Sequence, residues 1–295
     1  MIAYVFSGGN IRGALQVGAA QALLADPSRR PDLIVGTSIG AINGTHLAAN
    51  PTLQGALHLA EIWRSIRRSD VYPGGRLRIL WRLIRRRDSI FPNEPLRSML
   101  MQTVTEAKTF GDLLIPMFIT ANTLNSNAVY LWGDDPSASI IEALLTSTAV
   151  PSIFPPMRYN GYEYVDGGIL TNLPLDVAVD RGATEIYALD VSYLNETLPS
   201  VNGAITMVQR TIQIMLHQQA VDQLQRVTQI PGVIVHHLQL PGYKEMAIND
   251  FTQSDAMIVA GRKLAEEYLA SPRPNFIHIQ SAPPPPPGAV RFDRI

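Results

Sequence analysis

Residues 31–44 read "PDLIVGTSIGAING" and hold the most informative pattern in the chain. A short apolar run at 33–35 ends in a G-x-S-x-G pattern made by Gly36, Ser38 and Gly40. A serine on a strained turn between a strand and a helix needs neighbours without bulk two places away on each side. The pattern therefore predicts that Ser38 is a nucleophile held on such a turn. The alternative is that Ser38 only caps the helix that follows.

The N-terminus predicts the same alternation of strand and helix. Residues 2–6 form an apolar run that suits a buried strand, and the glycine-rich "FSGGNIRG" at 6–13 follows it. Good helix formers occupy residues 12–25, and a second helical pattern covers 39–50. A chain that opens β-α-β-α is typical of a parallel sheet covered by helices.

The rest of the chain continues this pattern without an internal repeat or a linker before residue 271. Further strands are predicted at 115–121, 127–132, 162–165, 185–190 and 233–238. Further helices are predicted at 52–68, 137–147, 174–181, 204–228 and 253–270. We therefore predict an α/β fold, a three-layer α/β/α sandwich with a mainly parallel central sheet, in one domain over residues 1–270.

The C-terminal residues 271–295 are predicted to form a proline-rich tail, because they include "SAPPPPPGAVRFDRI" at 281–295. A polyproline run cannot join a packed core. It is interpreted as an extended tail or spacer, with recognition by a proline-binding partner as the alternative.

Composition excludes several classes of protein. The 295 residues are 46% apolar and 17% charged, which is typical of a globular domain. A net charge of -1 gives no general attraction to nucleic acid, and the absence of cysteine excludes disulfides and thiolate chemistry. We find no signal peptide and no apolar run long enough to span a membrane. We therefore expect a cytoplasmic protein, with peripheral membrane contact left open.

The glycine loop at 6–13 is predicted to bind an anion, because backbone N–H groups at the start of a helix favour negative charge. A dinucleotide site would need glycine at the place of Asn10 and an acidic residue at the end of the next strand, and neither is present. No Gly-Lys-Ser/Thr follows to make a Walker A loop. With a candidate nucleophile on the neighbouring strand, an oxyanion hole is the better interpretation.

The proton acceptor for Ser38 is not evident among the histidines. The six histidines occupy positions without a surrounding motif and are interpreted as surface or core residues; they are His46, His58, His217, His236, His237 and His278. The segment "YEYVDGGILTNLP" at 162–174 offers Asp166 at the end of a short strand. Asp-Gly is also a common turn dipeptide. A carboxylate can nevertheless act as base if burial adjusts its pKa.

Four motifs together resemble the patatin-like phospholipase family, in its bacterial type. "GGNIRG" is similar to the family's G-G-G-x-R/K-G loop, and "GTSIG" matches its G-x-S-x-G. "STAVPSIFPP" at 147–156 resembles its S-x-A-x-P-x-x-F-P-P segment, and "DGG" at 166–168 matches its D-G-A/G. The motifs occur in family order, and the resemblance covers roughly residues 2 to 191.

The resemblance implies a role for each matching residue. Ser38 would be the nucleophile, Asp166 its general base, and the N–H groups of Gly8, Gly9 and Asn10 the oxyanion hole. Arg12 would steady the loop or face an anionic part of the substrate. Five glycines of the motifs would support this geometry: Gly13, Gly36, Gly40, Gly167 and Gly168. No metal or cofactor is expected.

Asn10 departs from the family pattern, which has glycine there. Asparagine tolerates left-handed backbone better than other non-glycine residues, so we expect the loop to survive. The added side chain narrows the space beside the oxyanion and puts the permitted bulk of the acyl group in doubt.

A basic stretch follows the first helices. Residues 62–87 hold nine arginines and one acidic residue, and 76–87 read "RLRILWRLIRRR" with apolar and basic faces. This pattern suits peripheral contact with an anionic membrane. A surface helix that packs its apolar face on the core is the alternative, and either fits a lid over the site.

The resulting prediction is a serine hydrolase of lipid carboxylic esters, a phospholipase A type enzyme of lipid degradation that uses a Ser–Asp dyad and an acyl-enzyme. One alternative is a neutral-lipid or short-chain carboxylesterase. An alternative of another class is a non-catalytic lipid-binding or regulatory protein, motivated by Asn10.

Overall fold

A computed structural model describes residues 1–74, 89–104, 106–126, 128–192, 203–243 and 246–277. The predicted basic helix at 76–87 and residues 278–295 of the predicted tail lie outside these ranges. Among the helices within them, none combines the length and apolar character needed to cross a bilayer.

Eight strands form one mixed sheet. Their bounds are β1 Ile2–Phe6, β2 Leu33–Thr37, β3 Met117–Thr123, β4 Ala128–Trp132, β5 Met157–Tyr159, β6 Tyr162–Asp166, β7 Glu185–Asp190 and β8 Ile234–Gln239. The five strands in the order β3-β2-β1-β7-β8 are parallel. The other three, β4, β5 and β6, pair antiparallel at the β3 end. The predicted mainly parallel sheet is therefore confirmed.

Nine α-helices are present among the described residues. Their bounds are α1 Gly13–Leu24, α2 Ile39–Ala49, α3 Leu53–Ser65, α4 Arg68–Val71, α5 Glu94–Thr103, α6 Ile140–Ser147, α7 Leu175–Asp180, α8 Ala204–Val227 and α9 Ser254–Ala270. Short 3-10 turns lie at Asn10–Arg12, Pro27–Arg29, Phe110–Asp112 and Gly167–Ile169.

The side chains of the parallel strands alternate between two hydrophobic cores. In β1, Tyr4 and Phe6 pack in the core that holds α1, α2 and α9, whereas Ala3 and Val5 pack in the core that holds α7 and α8. Successive strand residues point to opposite faces of a sheet, so a strand with two apolar faces needs helices on both sides. The predicted three-layer α/β/α architecture is confirmed.

Three details of secondary structure differ from the prediction. Strand β5 and helix α5 were not predicted. The helix predicted at 52–68 ends at Ser65 and a separate short helix begins at Arg68, because Ile66 and Arg67 adopt extended backbone with ψ of 132° and 157°.

The pairing of β3 brings two strand ends together. Along one edge, β4 pairs with residues 119–123 of β3, so the other edge serves both β2 and β6. On that edge Thr37 pairs with Thr120, and Asp166 pairs with the next residue, Ala121. Since β2 is parallel and β6 antiparallel to β3, their carboxyl ends meet. Ser38, the residue after Thr37, therefore lies next to Asp166.

Candidate active site

Ser38 occupies the strained turn that the sequence predicts. It lies between β2 and α2 with φ 54° and ψ -122°, a backbone conformation rare for residues other than glycine. A Cβ atom on Gly36 would lie 2.5 Å from the Gly40 carbonyl oxygen, and one on Gly40 would lie 2.5 Å from that of Phe6. Both glycines are therefore required by close backbone contact.

The hydroxyl of Ser38 is not used to cap helix α2. Ser38 stands at the N-cap position, yet its side chain makes no capping hydrogen bond. Its backbone N–H donates to Ser147 Oγ at 2.8 Å, which fixes the turn against the end of α6. The simple helix-cap interpretation of the serine therefore fails, and the hydroxyl is left for other contacts.

Asp166 is a buried carboxylate at the end of β6. Its Oδ1 accepts a hydrogen bond from the Gly168 N–H at 2.8 Å, while Oδ2 has no aligned donor among the described residues. Burial raises the pKa of Asp166 to about 6, although the nearby Ser38 hydroxyl and the Gly168 N–H lower it. The Asp166 carboxyl group therefore has a pKa close to neutral pH and lies beside Ser38.

The turn that carries Asp166 is held from β3. Asn122 Nδ2 donates to the carbonyl oxygens of Asp166 and Gly167, at 2.7 and 3.0 Å. A Cβ on Gly167 would collide with the Thr120 carbonyl, so this glycine lets the turn lie directly on the strand. The contacts of Asn122 and Ser147 cannot be predicted from local sequence, because their partners Asp166 and Ser38 are 44 and 109 residues away in the chain. Ser147 is the first residue of the S-x-A-x-P-x-x-F-P-P segment, but that motif does not indicate its hydrogen bond to the Ser38 N–H.

The glycine loop packs directly against the serine. A Cβ on Gly8 would lie 3.3 Å from Ser38 Cβ and 2.6 Å from Asn172 Oδ1, so a side chain at this position would displace both neighbours. The Gly8 N–H already donates to the Asn172 carbonyl oxygen at 3.1 Å. Within the described residues, no such hydrogen bond starts at the N–H of Gly9 or Asn10. Two of the three predicted oxyanion donors thus remain available.

Asn10 adopts the left-handed backbone that its position demands, with φ 53°, and its side chain is exposed. Arg12 is buried instead. Its Nη2 donates to the Leu240 carbonyl oxygen at 3.3 Å, and its side chain lines neither of the cavities described next. This position favours the first of the two predicted roles of Arg12, steadying the loop, over contact with a substrate. Gly13, the first residue of α1, lies where a Cβ would collide with Ile39.

Two cavities meet at Ser38. The α2 cavity encloses about 740 Å³ of space, including its part open to solvent, and is lined mainly by aliphatic and aromatic side chains. It follows α2 from Ser38 past Ile42 to His46, eight residues or about 12 Å along the helix axis. The α8 cavity encloses about 1340 Å³ on the same basis, and Asp166 and Leu216 line it. Three residues border both cavities: Asn10, Ser38 and Val150.

The described histidines do not join the serine and the aspartate. None of them lines the α8 cavity, which holds both groups. His237 pairs with Asp190 at 3.0 Å inside the protein, and His236 contacts Glu185 at 3.2 Å. His46 lines the α2 cavity, where its Nδ1 lies 2.6 Å from the Val104 carbonyl oxygen. Among the described residues no group of three or more His, Cys, Asp or Glu side chains could hold a metal ion.

Comparison with known proteins gives sequence relatives over much of the chain. The chain is 29% identical over 198 residues to patatin-like phospholipase domain-containing protein 7 of Mus musculus, which covers 66% of this chain and 14% of that protein. It is 28% identical over 203 residues to protein 6 of the same series from Homo sapiens, covering 68% and 14%. It is 25% identical over 294 residues to lysophospholipase nte1 of Emericella nidulans, covering 91% and 18%. The chain thus spans less than a fifth of the length of these relatives.

Among solved structures, VipD from Legionella pneumophila aligns with 91% of this chain and 66% of its own, at a TM-score of 0.48 and 14% identity. The sequence pattern of the patatin-like phospholipases matches residues 4–179, which is more than half of the 295 residues. The chain therefore belongs to the patatin-like phospholipase family.

Proposed function

We propose that this chain is a serine acyl hydrolase of lipid esters, of phospholipase A type, in which Ser38 and Asp166 form a catalytic dyad. One observation carries the proposal: a serine strained to φ 54° is brought, through the register of β2 and β6 on β3, to a buried carboxylate whose second oxygen has no aligned donor among the described residues. Family membership supports lipid esters as the substrate class.

In the proposed reaction Asp166 accepts the hydroxyl proton of Ser38 as the serine oxygen attacks the ester carbonyl. A pKa of about 6 leaves the carboxylate ionised at neutral pH and still basic enough to take the proton. The contact between Ser38 and Asp166 would tighten when substrate binds, as catalytic hydrogen bonds commonly do. The alcohol then leaves with the proton from Asp166. Water attacks the acyl-enzyme with Asp166 again as base, the bond from the acyl carbon to Ser38 Oγ breaks, the fatty acid is released and Ser38 regains the proton.

The N–H groups of Gly9 and Asn10 are the proposed oxyanion donors. Neither makes a backbone hydrogen bond within the described residues, and both belong to the loop that packs on Ser38. One donor of this kind is commonly worth about 3 kcal/mol of transition-state stabilisation. The hydrogen bond from Gly8 to Asn172 would hold the loop in place rather than contact the substrate.

The two cavities suggest where the acyl part and the alcohol part of an ester would bind on either side of Ser38. The apolar α2 cavity suits an acyl chain, while the α8 cavity, with more space and the Asp166 carboxylate, suits the alcohol part that leaves. This division favours a long-chain lipid over the alternative of a short-chain ester, because a short acyl group would leave the α2 cavity largely unfilled.

The test is hydrolysis of a panel of phospholipids, lysophospholipids, neutral lipids and short-chain esters, combined with a fluorophosphonate probe. We expect turnover of long-chain phospholipid or lysophospholipid esters and labelling of Ser38. Folded protein that takes no label and turns over no ester would contradict the proposal and favour the non-catalytic lipid-binding alternative.

A further inference from the structure

The first half of helix α8 has an apolar surface on the side that faces solvent. Four side chains of this surface are exposed, and they are Met207, Val208, Ile214 and Met215. Residues seven apart lie on the same side of a helix, so these four form two adjacent rows. We refer to them as the outer face of α8.

The second half of the same helix follows the ordinary amphipathic pattern. Its apolar side chains, including Val221 and Leu224, are buried against the sheet in the second core. The residues it exposes are polar, namely Gln218, Gln225 and Arg226. The apolar outer face is therefore confined to the half of the helix that lies over the site.

This outer face is continuous with the α8 cavity. On the inner side of the same helical turns, Ile212 and Leu216 line the cavity with Ser38 and Asp166. Val208 belongs to both, since it is exposed and also lines the cavity. Gln219 Nε2 donates to the Ile169 carbonyl oxygen at 2.7 Å, which holds the helix beside the Asp166 turn. Apolar surface thus extends without a break from the exterior into the site.

The charge of the segment suits a lipid surface. No acidic residue occurs between Glu196 and Asp222, and Arg210 is the one charged side chain in the first half of α8. Neither zwitterionic nor anionic headgroups would therefore be repelled. Exposed apolar patches of this kind mark protein or membrane interaction sites, and an apolar helix face with a basic residue is typical of contact with the bilayer interface.

We propose that the outer face of α8 inserts into the surface of a lipid bilayer and sets the mouth of the α8 cavity against it. The choice of a bilayer over a protein partner rests on the proposed lipid ester substrate. An ester drawn from the bilayer would pass along Val208 to Ser38 without crossing water. This contact is separate from the one predicted for residues 76–87 and needs no anionic lipid.

The test compares two double variants of the full chain. The pair Ile214→Gln/Met215→Gln alters the outer face at side chains that are 61% and 48% exposed and line neither cavity. The control pair Leu114→Gln/Val259→Gln alters side chains that are 68% and 60% exposed, in the loop before β3 and on α9. The control removes at least as much exposed apolar surface, so a general loss of hydrophobicity would affect it equally.

Sedimentation with phosphatidylcholine vesicles at high salt is measured on the Ser38→Ala background, so that no lipid is consumed. We expect the outer-face pair to weaken vesicle binding about tenfold and the control pair to leave it unchanged. With Ser38 intact, both pairs should hydrolyse a monomeric water-soluble ester like the parent protein.

Equal vesicle binding by all variants would overturn the proposal, as would absence of binding by the parent. Self-association of the parent that only the outer-face pair abolishes would also overturn it, because the face would then be a protein interface. Selective loss of vesicle binding in a protein that hydrolyses no ester would support the lipid surface while refuting the proposed hydrolase.

Discussion

The two cavities that meet at Ser38 differ in what lines them. One is mainly apolar and suits binding of an acyl chain, and the other contains the proposed general base. Among the described residues, the α2 cavity is lined mainly by apolar side chains and by no carboxylate. The α8 cavity contains Asp166, the glycine loop and one wall made by a helix whose outer face is exposed. A site with one apolar cavity and a second, larger cavity that holds a carboxylate among apolar side chains suits an amphipathic ester.

The largest effect is expected where the two cavities join. Ser38→Ala should lower kcat/KM roughly a thousandfold or more on every ester, because both cavities would remain but the nucleophile would be gone. The measurement is turnover of a short-chain and a long-chain ester, with Ser65→Ala on an exposed end of α3 as control. Substantial activity in the Ser38 variant would contradict the dyad.

The second prediction concerns the carboxylate of the α8 cavity. Because only ionised Asp166 can accept a proton and its pKa is raised to about 6, kcat/KM should fall as the pH drops below about 6, about tenfold for each unit. The profile is measured with an uncharged ester, and circular dichroism at each pH checks that the protein stays folded. A profile that stays flat down to pH 4 would exclude Asp166 as the base.

The third prediction distinguishes the two cavities directly. Ile42→Phe places a ring in the α2 cavity four residues from Ser38, so we expect about a tenfold loss on long acyl chains relative to acetyl esters. Leu216→Phe fills the α8 cavity and should instead lower turnover of esters with bulky alcohols. The measurement is kcat/KM over esters of rising acyl length and rising alcohol size. If Leu216→Phe alone changed the acyl-length dependence, the assignment of the cavities would be reversed.

The smallest effect is expected at Asn10, which borders both cavities. Asn10→Gly keeps the backbone N–H and suits φ 53°, so kcat should change less than about fivefold, with a gain on bulky acyl groups. Asn10→Ala is the matched variant, and relative to Asn10→Gly its β-carbon in left-handed backbone should destabilise it by about 1 kcal/mol. Thermal unfolding and ester kinetics measure the two quantities. A large loss of activity in Asn10→Gly would show that the side chain itself acts in catalysis.

The parts of the molecule that local pattern determines can be predicted from the sequence. The turn at Ser38 leaves a signature because backbone contact at Gly36 and Gly40 forbids any side chain. The two cores follow from strands that are apolar on both faces. Helix α5 could also have been found, since Glu94 and Pro95 in its first turn are ordinary helix-start signals.

Other features depend on contacts distant in sequence and leave no local signal. Strand β5 has three residues and exists because it pairs with β6. The hydrogen bond from the Gly8 N–H to Asn172 joins residues 164 positions apart in the chain. The hydrogen bond from Asn122 to the Asp166 turn joins residues 44 positions apart. The composition of α8 is that of an ordinary helix. The exposed apolar face of its first half becomes evident only when the structure shows that the second half is the one that packs on the sheet.

Burial of the Asp166 carboxylate also lowers the free energy of unfolding at neutral pH. Its pKa is raised from 3.8 to about 6, so folding favours the protonated form, and stability is lost as pH rises from about 4 through 6. The shift corresponds to about 3 kcal/mol of unfolding free energy at neutral pH. Asp166→Asn, whose amide can donate toward Ser38 while its oxygen accepts from Gly168, should therefore melt higher than the parent protein at pH 8 and equally at pH 4. Asp166 would then destabilise the folded state most in the pH range where we expect the chain to be most active, so the proposed general base is retained at the expense of stability.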